Sequence, residues 1–223
     1  MSLYKELKEK YPDIESYTQW EEDTYPADKI TLISNGTAAK KKSPDVLKTI
    51  AMLADGQEDV LVQTPYVICD QYMYDTLRQL SDEVEVKIIL NAVENGSNPW
   101  GCTDYLNHKQ DIVDTGVDVY ELMNEHAVHT KTVLVGDNLS IVGSYNLDMR
   151  STYLDTELML VIDSKQLNAR IRGMADEYME KSIEIKADGQ TTVGPKYKEK
   201  QQKTSKRVFY QILRVLIPPI RHL

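Results

Sequence analysis

Between His129 and Glu157 the chain reads HTKTVLVGDNLSIVGSYNLDMRSTYLDTE, and these residues could hold and attack a phosphate ester. Displacement at phosphorus needs a nucleophile, positive charge or donors on the non-bridging oxygens, and an acid for the leaving oxygen. His129 can attack without a metal, Lys131 and Asn146 can supply charge and an amide donor, and Ser144 a further donor. Glu157 can accept from the second imidazole nitrogen and so fix the tautomer that attacks. On a strand, residues two apart share a face. That spacing places His129 with Lys131, and Ser144 with Asn146, with Thr132 and Leu134 facing away. Taken singly, each is ordinary: a structural histidine, a Gly143-Ser144 turn, a solvated glutamate. Their joint spacing makes the chemical reading, and it leaves one acid unaccounted for.

The elements that must carry these residues follow from periodicity. Alternating apolar runs predict strands at 29–34, 59–64, 84–90 and 117–122. Between them, helices are predicted from Ser43-Pro44-Asp45, with Ser43 as N-cap, around 71–80 and around 103–114. That alternation implies crossovers and a largely parallel sheet. Runs at 130–135, 139–142 and 157–162 are too close for helices, so the sheet becomes mixed. Asp163 and Gln166 form a capping-box pattern before a closing helix whose apolar face is Leu167, Ile171, Met174 and Tyr178. The expected organisation is a lead-in over 1–28, one α/β domain over 29–186 with a mixed β-sheet flanked by helices on both faces, a flexible Lys-rich linker over 187–205 and a basic amphipathic tail over 206–223.

Length and charge bound the possibilities. A chain of 223 residues accommodates one full core. No apolar run approaches the roughly 18 to 20 residues of a membrane-spanning helix. Cys69 and Cys102 are too few for a disulfide framework and have no metal spacing, which points to a cytosolic protein. The net charge of −9 is unevenly spread: from Lys186 onward nine basic residues face two acidic ones, leaving 17 basic and 33 acidic before it. A body near −16 repels a nucleic-acid backbone, while a tail near +7 attracts phosphate-bearing surfaces. In that tail Phe209, Ile212, Leu213, Val215, Leu216 and Ile217 alternate with Arg207, Gln211 and Arg214 before Pro218-Pro219. This suits either an anionic membrane's inner face or a helix docked on another domain.

The motif as a whole resembles that of the phospholipase D superfamily, His-x-Lys-x4-Asp-x6-Gly-Ser-x-Asn with a later glutamate. His129, Lys131, Gly143, Ser144, Asn146 and Glu157 match it position by position. Gln63-Thr64-Pro65-Tyr66 is similar to the TPY segment of bacterial cardiolipin synthase-like members. Asn146-Leu147-Asp148-Met149-Arg150-Ser151 is similar to their NxDxRS continuation, which adds Asp148 as a supporting residue. The resemblance covers residues 30 to about 180. It implies a phosphohistidine on His129, a phosphate clamp of Lys131, Ser144 and Asn146, and neither cofactor nor metal. The pair His126 and His129, three apart, lacks a third ligand.

Two departures stand out. Gly136 occupies the motif's aspartate position, with Asp137 one place late and expected to compensate across a turn. Family sites also combine two such motifs, one histidine attacking and the other protonating the leaving oxygen, and His108, His126 and His222 have no Lys two places on. The expected partner is therefore a second motif, from a missing first half, which is the favoured reading, or from a two-fold copy. Phospholipid chemistry, by phosphatidyl transfer or hydrolysis, is the expected activity. The alternatives are a nuclease or other phosphodiesterase of the same superfamily, less favoured by the acidic body, and a catalytically silent binding module.

Overall fold

The computed structural model describes residues 2–12, 24–37, 41–200 and 204–216. After α1 (Ser2–Lys10) come β1 (Lys29–Ser34), α2 (Asp45–Ala54), β2 (Asp59–Gln63), α3 (Gln71–Ser81), β3 (Glu85–Asn91), α4 (Pro99–Val113) and β4 (Asp118–Leu122). Then follow β5 (Thr132–Val135), β6 (Leu139–Gly143), α5 (Met149–Tyr153), β7 (Leu158–Asp163), α6 (Lys165–Met179), β8 (Ser182–Ile185), β9 (Thr191–Val193) and α7 (Thr204–Leu216). The strands form one mixed sheet in the order β1-β7-β6-β5-β2-β3-β4-β8-β9. β2, β3 and β4 run parallel through helical crossovers, and β5 joins β2 antiparallel. The expected α/β architecture is the one observed.

Its two faces are filled differently. Val60, Val62, Val86, Ile88, Leu90 and Val119 point into the main core against α2, α3 and α4. On the opposite face Leu61, Ile89, Leu122 and Leu134 meet Ile171, Ala175 and Tyr178 of α6. Central strands buried on both faces need unbroken apolar runs, and VLV, IIL and TVLV supply them. The cover on the α6 side reaches β6, where Ser140 is still fully buried, and gives out beyond it. Toward the sheet edge, the register Leu32 to Leu160 puts Ile30, Leu32, Leu158 and Leu160 on one face, each between 42% and 61% exposed.

Several expectations are corrected. Ser43 does not cap α2: the Val46 N–H donates to Asn35 Oδ1 (3.2 Å), and Asn35 Nδ2 in turn donates to the Ser151 carbonyl (2.6 Å), so a buried amide after β1 takes the capping role. Asp163 ends β7 and accepts from Asn138, while Ser164 caps α6 through the Leu167 N–H (3.3 Å). Met174 is exposed, and Asn168 and the small Ala175 are the fully buried residues of that helix. The segment expected as a flexible linker over 187–205 contains β9, paired with β8. In the tail, Tyr210 and Leu213 are buried against the domain's own core, joining Cys102 and Tyr105 of α4. Pro218-Pro219 and His222 lie outside the described residues, as do residues 13–23 of the lead-in.

Candidate active site

His129 and Lys131 lie just before β5, on extended backbone that continues its ladder: the Gly143 N–H donates to the Lys131 carbonyl (3.3 Å). The strand was expected from residue 130; the regular ladder opens at Thr132, opposite Val142. Ser144 follows β6 and donates from its N–H to the Leu158 carbonyl (3.0 Å). Gly143 permits this closeness, since a Cβ there would lie 2.1 Å from that same carbonyl. Because β5, β6 and β7 are neighbours, the ends of three strands bring His129, Lys131, Ser144 and Glu157 together.

Within the site the Ser144 hydroxyl donates to Glu157 Oε2, and the Leu158 N–H donates to Ser144 Oγ (3.0 Å). The expected partner of Glu157 was the imidazole; instead the carboxylate is buried and held by the serine next to it. The imidazole meets its own neighbour, Lys131 Nζ standing 2.7 Å from Nδ1 and 3.0 Å from the His129 carbonyl. Partial burial first, and the adjacent ammonium second, lower the His129 pKa below its ordinary value. Burial likewise lowers that of Lys131, against the opposing pull of Glu157 and Asp148. The shift on His129 favours a neutral, attacking imidazole near neutral pH.

Asn146 and Asp148 belong to the loop leading into α5. The Asn146 N–H and Nδ2 both point at Ser151 Oγ (3.3 Å each), and Asn146 Oδ1 is buried with no partner. Asp148 caps α5, its carboxylate accepting from the Ser151 N–H (2.6 Å). Burial, with Glu157 nearby, pushes its pKa up to about 6 in spite of that bond. The TPY segment braces this loop: Thr64 Oγ1 accepts from the Leu147 N–H (3.2 Å), and Ile68 exchanges backbone bonds with Leu147 and Met149 (3.0 Å each).

Asp137 is not brought to the site. It sits in the β5–β6 turn, a strand's length from His129, exposed and paired with Lys165 (2.9 Å). Gly136 has φ +55°, and its carbonyl accepts from Arg172 (2.7 Å), which also binds Asp59 (2.6 Å). The positive φ suits glycine and disfavours the aspartate of the motif.

Asn91, which the spacing argument passed over, positions the histidine. Its Oδ1 accepts from the Val128 N–H and its Nδ2 donates to the Val128 carbonyl (2.8 Å each), with a further bond to the Pro65 carbonyl (3.0 Å). A polar residue closing the apolar strand β3 was the signal available for it. Among the described residues no cluster of three or more His, Cys, Asp or Glu could hold a metal ion.

The domain is thus a single mixed α/β sheet with an imidazole and an ammonium at one strand end and, beside it, an exposed serine bonded to a buried glutamate. The family model described as "Cardiolipin synthase, PLD-like domain" matches residues 49–179, so the chain belongs to this phospholipase D-like family. It is 32% identical over 129 residues to cardiolipin synthase A of Serratia proteamaculans, covering 56% of this chain and 26% of that protein. It is 29% identical over 155 residues to a cardiolipin synthase of Oceanobacillus iheyensis, covering 67% of this chain and 31% of the relative. The matched region thus spans between a quarter and a third of those relatives. In fold it resembles Nuc, a phospholipase D family member from Salmonella typhimurium, with TM-score 0.55 and 14% identity, over 71% of this chain and 99% of Nuc.

Proposed function

We propose that the chain forms one half-site of a phospholipase D-type phosphodiesterase or phosphatidyltransferase acting on phospholipids. The observation that carries the reading is the convergence of His129 and Lys131 with the Ser144–Glu157 pair at adjacent strand ends. A phosphate diester arriving there draws the Lys131 ammonium onto its non-bridging oxygens and away from the imidazole. The freed imidazole attacks phosphorus, a P–N bond forms, and the P–O bond to the leaving alcohol breaks. A half-turn of the Asn146 amide gives its oxygen to Ser151 and aims its NH2 at the phosphate, satisfying the orphaned atom. Water or an alcohol then attacks phosphorus and releases His129, which separates hydrolysis from transfer.

The acid for the leaving oxygen comes from a second unit of the same kind, within a longer chain or as a second copy. The uncovered apolar face of β1 and β7 supports this, since Leu158 adjoins Glu157 and a seated partner reaches the same site. A single-motif dimeric nuclease or phosphodiesterase is the second reading, favoured by a match that covers 99% of Nuc. Incubation with labelled phosphatidylglycerol and with DNA separates them. Cardiolipin or phosphatidic acid supports the proposal, nicked DNA supports the second reading, and no product from a verified dimer sinks the second reading and the second-copy form of the first.

A further inference from the structure

Helix α7 is amphipathic twice over. Inward, Tyr210 and Leu213 are buried, and Tyr210 reaches Cys102 of α4. At one end Lys206 Nζ donates to the Glu94 carbonyl (3.1 Å), and at the other Arg214 donates to Asn107 Oδ1 (2.8 Å). Outward, Val208, Phe209, Ile212 and Val215 are between 48% and 77% exposed and make a stripe along the helix. Arg207 and Arg214 lie along one edge of that stripe, and α7 has no acidic residue. A helix docked by one face and still apolar on the other has a second surface to satisfy.

Its place relative to the site gives the stripe meaning. The 94–96 loop that Lys206 clamps follows β3 at the end of the sheet where Asn91 holds Val128. In the same loop Asn95 Nδ2 donates to the His126 carbonyl (3.1 Å), three residues before His129. Trp100, half exposed, opens α4 at that end, two residues from Cys102.

We propose that the outward face of α7 seats the protein on an anionic lipid bilayer, with the His129 site at the adjoining end of the sheet. An apolar stripe edged by arginines is the chemistry of an interfacial helix. A second copy docked two-fold through this face would set Arg207 and Arg214 against their counterparts, whereas an anionic bilayer takes both. With about −16 charges elsewhere, only the tail's surroundings can approach such a membrane. The inference rests on the phospholipid reading and adds the surface by which the substrate phase is met.

The test is co-sedimentation of the full chain with phosphatidylglycerol–phosphatidylcholine vesicles and with phosphatidylcholine vesicles alone, beside turnover of a soluble chromogenic phosphodiester. Wild type binds the anionic vesicles and is released by salt. Ile212→Glu and Arg207→Glu each weaken binding at least tenfold, with circular dichroism unchanged. Val215→Ser, at the most exposed position, repeats the loss if Ile212→Glu fails to fold. Wild type that ignores anionic vesicles, or variants that bind as wild type does, overturns the proposal, as does a change of oligomeric mass in place of lost binding. Docking can fail while the soluble diester is still turned over, so its failure is distinguishable from failure of the site's chemistry.

Discussion

Ser144 donates a hydroxyl hydrogen bond to Glu157 Oε2 across the ends of β6 and β7, so the two residues meet a ligand as one unit. Replacing Glu157 with Gln leaves the serine a weaker acceptor and removes a charge that supports Lys131. Formation of an acid-labile phosphohistidine is expected to slow by about 10²-fold or more, the lower range for a lost proton-handling group. His129→Ala abolishes it. Rapid quench with a labelled diester measures both, and label on another residue refutes the assignment of His129.

The pKa shifts predict a pH profile. His129 is held below the ordinary imidazole value, so it stays neutral, and able to attack, to a lower pH than a free histidine. The acid limb of turnover therefore falls below that of a free imidazole. Lys131→Met removes the second cause of the shift and moves the limb up. A limb that does not move with this change means that another group limits the rate.

Asp148 predicts a pH dependence of stability. Its folded pKa is raised to about 6, so between its ordinary value and 6 the folded state binds more protons than the unfolded state. Its contribution to stability is present in full at low pH and is lost as pH rises through that window. Asp148→Asn keeps the cap, since Asn caps as well as Asp, and flattens the fall. Thermal melts from pH 4 to 7 measure it, and an unchanged slope would show that Asp148 is not its source.

Asn91→Ala strips both bonds from Val128 and leaves buried groups unpaired, a loss of about 1–3 kcal/mol. Its local signature is faster exchange of the Val128 amide with protection of Ile88 unaltered. In kinetics kcat falls with KM nearly constant, because phosphate-binding groups remain. Uniform loss of protection would reduce Asn91 to a purely structural role.

Restoring the motif's aspartate as Gly136→Asp is expected to destabilise. The position has φ +55°, and a Cβ there would meet Gln57 Oε1 at 2.4 Å. The cost is about 1–3 kcal/mol, with no gain in turnover. A more stable or faster variant would mean that the turn can be rebuilt to take the side chain.

The strands were legible because each apolar run had one period and a sharp end; β1 occupies the expected 29–34. Two helix starts were not: α2 is capped by Asn35, which lies before the helix's own start and eleven residues from Val46, and α6 by Ser164, one residue past the expected Asp163. β9 was hidden in a polar stretch, since an edge strand needs no apolar run of its own. In the site, spacing brought the right residues together but misassigned their bonds. Glu157 was matched to the imidazole on chemistry alone, while the fold set Ser144 closer. Asn91 carried no spacing signal, because its role is defined by a backbone thirty-seven residues away.

The parallel bridge between Ile68 and Asp148 ties the TPY segment to the NxDxRS loop. Mechanically the two are one plate, fastened by Thr64 at one margin and by the Ile68 backbone at the other. A chimaera with a relative must then transplant 63–68 and 146–151 as a pair. Exchanging either alone leaves two halves of different manufacture meeting at the Asn146 loop.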